Sequence, residues 1–189
     1  LLASQVHAVP ANTKAPEAFL YEGLKTLNKV SNNKLGILIF KEHAYIPQLL
    51  NKLHRFRATS EEGLFELAKD IARITADSFD SQSIQTIVKP PKGEKWGSLK
   101  SVEKLLTEKI EIEFARKITA PLVGTYELRL ADAHLPSSKI SEAYNLIGID
   151  STQPYIHQAH HMLHQCVTSI FTIIDIIQKW DKLNKGSEK

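Results

Sequence analysis

The sequence predicts an all-α fold, a helical bundle of about five to seven helices, on three observations. Apolar residues recur at three- and four-residue intervals along most of the chain; strand signals are too few to build a sheet; and Pro, Gly and Ser-Asn clusters punctuate the periodic stretches. With 189 residues, 42% of them hydrophobic, the chain can bury a core without disulfides. It contains no internal repeat.

Residues 1–15 lack periodicity and read as a linker from an upstream region, an expectation strengthened by a chain that opens on Leu1 and has Met162 as its single methionine. Residues 16–88 form an N-terminal helical part. Pro16 suits a first helical turn, and Phe19, Leu20, Leu24, Leu27 and Val30 follow at helical spacing up to a stop at Ser31-Asn32-Asn33. The run from Leu35 to Phe40 fits either a buried strand or a helix segment. Pro47 opens a short helix through Phe56 with a basic end. Thr59 and Glu62 form a capping box ahead of a helix lined by Leu64, Leu67, Ala68, Ile71 and Ile74.

Residues 89–97 (Lys-Pro-Pro-Lys-Gly-Glu-Lys-Trp-Gly) are the clearest loop and the expected boundary before a core over 98–189. Solvation suffices to explain its charges, although they and Trp96 also suit RNA contact. Leu99, Val102, Leu106, Ile110, Phe114 and Ile118 predict one long amphipathic helix over 98–119. Pro121 and Gly124 should interrupt the chain beyond it, leaving a second piece from 122 to about 133 that ends before Pro136. Ser137 or Ser138 should cap a short helix stopped by Gly148. Asp150, Ser151 or Thr152 should cap a last helix reaching about Leu183. In that helix Ile156, Leu163, Ile170 and Ile177 repeat every seven residues beside Ala159, Cys166 and Ile173, so its stripe needs a helical partner in the same chain or in a second copy.

No stretch is apolar for long enough to span a bilayer, and with one cysteine a disulfide framework is excluded, so a cytoplasmic protein without a membrane segment is expected. A formal charge of +3 permits a nucleic-acid partner without demanding one. The phosphate-binding loop, Cys-x-x-Cys, His-Glu-x-x-His and Gly-x-Ser-x-Gly patterns are all absent. Cys166, set in an apolar row, reads as a buried structural thiol.

The stretch from Tyr126 to Pro136 holds an arginine and a histidine, Arg129 and His134, with Glu127 and Asp132 near them. Five helical steps rotate a side chain by about 140°, so the two converge only if the helix ends between them or each meets a partner's copy. Such a pair suits metal-free RNA cleavage: a neutral imidazole accepts the 2′-hydroxyl proton and a guanidinium holds the phosphate. The alternative is a helix-end arginine paired with Asp132 or Glu127.

On the Arg129-x4-His134 spacing, between two long amphipathic stretches, the region resembles the HEPN superfamily. That resemblance implies a helical, metal-independent endoribonuclease of a toxin–antitoxin or antiviral system. Arg129 and His134 would be its catalytic pair, RNA its substrate, and two copies would join their motifs across a shared cleft. No cofactor is implied. Tyr126, Glu127 and Asp132 are the supporting candidates. The residue after the family's arginine is frequently Asn, Asp or His and here is Leu130; either Asp132 takes that polar role or the site is silent. A silent helical module that dimerises or docks a partner subunit is the competing expectation.

His157, His160, His161 and His164 share a helical face. A polar flank beside the seven-residue stripe is the first reading and RNA contact the second. A tightly held metal is not expected, because helical spacing offers two imidazoles without a fixed third ligand.

Overall fold

Proline at the first turn starts a helix where its missing N–H has no intrahelical role. The computed structural model describes residues 14–130 and 136–183, and its first helix, α1, spans Pro16–Leu35 with Leu20, Leu24 and Leu27 fully buried. The stop expected at Ser31 is overridden. Ser31 is buried and its hydroxyl donates to the carbonyls of Asn28 (3.2 Å) and Ile37 (3.0 Å), so the helix runs on to a left-handed cap at Gly36, φ 69°.

The following apolar run is neither a helix nor a full strand. Phe40 makes an isolated antiparallel bridge with Phe79, flanked by Lys41 N–H to Ser78 C=O and Asp80 N–H to Ile39 C=O, both 2.7 Å. On its other side the Asn28 amide brackets Phe40, donating to its carbonyl at 2.6 Å and accepting from its N–H at 2.7 Å. A side chain thus substitutes for a second strand.

Helix α2 is Ile46–Leu50, and a separate 3-10 turn at Arg55–Arg57 replaces the rest of the helix expected there. Helix α3, Glu61–Ile74, buries the five predicted apolar residues. Its cap, however, is Ser60: the backbone there is extended and the hydroxyl accepts from Gly63 N–H at 3.2 Å, which leaves Thr59 one residue too early for the expected box. A 3-10 turn at Ala76–Ser78 and a short α4, Ser81–Gln85, lead into the predicted loop.

The helix expected over 98–119 is broken. Helix α5 is Ser98–Leu106, and α6 begins afresh as Ile112–Leu128. Thr107 caps the break, its hydroxyl bonded to the Lys104 carbonyl at 2.8 Å. The break resets the helical phase, so α5 buries Val102, Leu105 and Leu106, α6 buries Ala115, Ile118 and Leu122, and Phe114 is left 51% exposed. Pro121 and Gly124 do not interrupt α6. The carbonyl that Pro121 deprives of a donor is that of exposed Lys117, and the Pro121 carbonyl accepts from the Thr125 hydroxyl at 2.8 Å. Gly124 is required by packing, since a Cβ there would stand 2.6 Å from the Ala143 carbonyl oxygen and 2.7 Å from Ile147.

Helix α7, Ser137–Ile147, starts with Pro136 at its cap instead of a serine and stops at Gly148, φ 79°. Helix α8, Tyr155–Gln178, likewise has Pro154 at its cap; Asp150 instead closes its own turn onto the N–H and hydroxyl of Thr152. Both seven-residue rows of α8 are buried apart from half-buried Ile156.

Those rows are covered from within the chain. Helix α1 gives α8 its most extensive contact, and α6 and α3 add to it. Gly23 meets Ile170 and Phe171, and Lys34 pairs with Asp181 at 2.5 Å, so α1 and α8 run parallel. Buried residues on both sides of the 89–97 loop belong to one hydrophobic cluster. The described residues are thus all-helical: eight α-helices, no strand, and no helix long and apolar enough to cross a membrane.

Candidate functional site

Helix α6 delivers Arg129 to its C-terminal cap, where a cation complements the negative end of the helix dipole. The guanidinium carbon lies 3.8 Å from the ring centroid of Tyr126, three residues back on the same face. Nη1 donates to Asp77 Oδ2 at 2.5 Å. The two charged side chains are 22% and 35% exposed, so the pair sits at the surface with one edge covered.

Asp77 is fixed by its own turn. The Ser98 hydroxyl donates to the Ala76 carbonyl at 2.5 Å, the Ser78 hydroxyl to the Arg73 carbonyl at 2.7 Å, and the Phe40 bridge ties Phe79, two residues on. A carboxylate on so constrained a turn orients the guanidinium that it binds. Only one of the five N–H donors of Arg129 is given to Asp77, so the planar fork keeps donors for a second oxyanion.

Of the other predicted site residues, Tyr126 is in the arrangement as the stacking face. Glu127 is half-buried on the last turn of α6 and points its field toward Lys139. The Lys139 ammonium is held above its ordinary range chiefly by its hydrogen bond to Glu142, with Glu127 adding to the effect. Asp132 and His134 lie outside the described residues. The residue that sequence reasoning missed is Asp77: the partners expected for Arg129 were Glu127 and Asp132, within three positions of it, and the observed one is 52 positions away.

The four histidines lie on α8, with His157, His160 and His164 exposed and His161 half-buried. The rings of His160 and His164 stack with centroids 6.4 Å apart, and His161 Nε2 lies 3.4 Å from the Gln165 amide. Burial, then Arg55 and His164, hold the His160 imidazolium below its usual range. Arg55 is itself clasped by Glu17, with Nη1 3.2 Å from each carboxylate oxygen. Among the described residues no group of three or more His, Cys, Asp or Glu side chains converges where a metal ion could sit.

Cys166 is fully buried and its thiol is pushed up to about 12 by that burial, with the Thr125 hydroxyl 3.2 Å from Sγ. An inert thiol wedged between α6 and α8 fits those facts. A search against protein-family models, characterised proteins and solved structures finds no match to this chain.

Proposed function

We propose that the chain is a HEPN-like, metal-independent endoribonuclease domain of a defence or toxin system, acting in the cytoplasm as a homodimer and attached to an upstream domain or partner subunit. The observation that carries the reading is the Arg129 guanidinium, fixed between Tyr126 and Asp77 with donors to spare, at the helix end that leads directly into the segment bearing His134. In this reaction His134 takes the proton of the 2′-hydroxyl, the 2′-oxygen attacks the adjacent phosphorus, and Arg129 neutralises the charge that gathers on the phosphorane oxygens. The bond from phosphorus to the 5′-oxygen breaks and that oxygen takes a proton from water, giving a 2′,3′-cyclic phosphate and a 5′-hydroxyl.

A second reading, a silent dimerisation or docking module, draws on the same ion pair, because Asp77 already neutralises the charge of Arg129. Cleavage of a labelled RNA by the purified protein separates the two. His134→Ala should lose roughly 10²–10⁴-fold of the activity, Arg129→Ala most of it, and EDTA none. Cleavage that persists in the double variant, or no cleavage by the wild type under any activating condition, rejects the ribonuclease reading.

A further inference from the structure

The loop 89–97 ends beside the turn that carries Asp77. At its far end the Gln85 amide, on α4, donates to the Trp96 carbonyl at 3.1 Å and to the Ser101 hydroxyl at 2.9 Å, while Ser98 donates to Ala76, the residue next to Asp77. Trp96 is half-buried; its Nε1–H donates to Glu94 at 2.9 Å and the Lys104 ammonium stands 5.7 Å from its ring centroid. Trp96 is therefore an anchor that holds the loop against α5.

Lys89, Lys92 and Lys95 are all exposed, and among the described residues none has a carboxylate partner; the loop's single acid, Glu94, is tied to Trp96. Arg73, exposed in the last turn of α3 four residues before Asp77, adds a cation on the helix that leads into the turn. Other exposed cations, Lys29, Lys52 and Lys117 among them, also lack a carboxylate partner among the described residues; what sets the loop apart is three of them within seven residues on one segment. Such a concentration of positive charge on one anchored loop favours an anionic partner that tracks a surface.

We infer that the lysines of the 89–97 loop form a docking strip for the phosphate backbone of single-stranded RNA, leading it across the Asp77 turn to Arg129. The choice of RNA rests on the ribonuclease reading; the charge and the anchoring do not. Three flexible ammonium groups on one loop give electrostatic contact without base selection.

Fluorescence anisotropy with a 2′-O-methyl oligouridine of about 12 nucleotides tests this, because that strand cannot be cleaved and binding is read apart from chemistry. The wild type and His134→Ala should bind it at low salt. The triple variant Lys89→Ala, Lys92→Ala, Lys95→Ala should bind about tenfold or more weakly, and its log–log salt slope should drop by about 2, from roughly 0.7 per lost phosphate contact. The triple Arg variant should bind as the wild type does. Unchanged affinity in the triple Ala variant, no binding at low salt, or equal binding of polyglutamate each overturns the inference. Binding without cleavage in the wild type sinks the ribonuclease reading alone, and normal cleavage by a triple Ala variant of undiminished affinity sinks the strip alone.

Discussion

At the scale of single residues, Arg129 shows how much and how little a motif specifies. A helix end near Arg129 was legible from Pro136, although the helix expected to reach about 133 closes at Leu128, and Tyr126 three residues back was within stacking reach. Its partner was not, since a pairing over 52 positions depends on where α3 and α6 meet and leaves no periodic trace. The fixed turn makes Asp77 a positioning residue. Asp77→Asn keeps an oxygen acceptor and removes the charge, so RNA cleavage should fall through kcat with KM little changed, and Asp77→Glu should restore part of it. A loss confined to KM would place Asp77 in substrate binding instead of orientation, and a lowered KM would mark relief of substrate repulsion. The pair is too exposed for much stability to depend on it, and the melting temperature should move little.

At the scale of elements, close approach explains what periodicity missed. Gly124 looked like a helix interruption and is a crossing point: its missing Cβ lets α7 lie on α6. Gly124→Ala should therefore destabilise by about 1–3 kcal/mol in urea denaturation, against a propensity gain of about 1 kcal/mol that the same change brings in an open helix. Gly97, with nothing within 4 Å, is the matched control and should tolerate Ala. Stripes that stayed in one unbroken helix, as in α3 and α8, were readable from spacing alone. The stripe from Leu99 to Ile118 was not, because a capped break at Thr107 changes which residues face inward without any Gly or Pro to announce it.

The histidine face belongs to α8 and gives a pH prediction. His160 binds its proton less readily when folded than when unfolded, so its contribution is complete above the unfolded value near 6.5 and declines as pH falls below it. Arg55, Glu17, His161 and His164 are the charged or titratable groups acting on it. Asp80, Asp150 and Asp181, all held below 3.8, lose their contributions only in stronger acid, so the two windows separate. His160→Gln should flatten the stability curve just below the unfolded value near 6.5; an unchanged curve in thermal melts would remove His160 as its source.

At the scale of the whole molecule, the apolar rows of α8 are spent on α1, α3 and α6, so a second copy has to use another surface. Leu130, 42% exposed and next to Arg129, is the apolar residue best placed for one. Light scattering on the complete protein should show a dimer that Leu130→Asp converts to monomer without lowering the melting temperature. A monomeric wild type at micromolar concentration defeats the paired-site arrangement. The parallel union of α1 with α8 also has a kinetic meaning. The most extensive helix–helix contact among the described residues joins helices separated by more than a hundred residues of intervening chain, so its loop-closure entropy must be met before the central stripe is covered. On the ribosome α1 emerges before α8, with Leu20, Leu24 and Leu27 lacking that cover until α8 is synthesised, an interval in which an apolar face is open to chaperones.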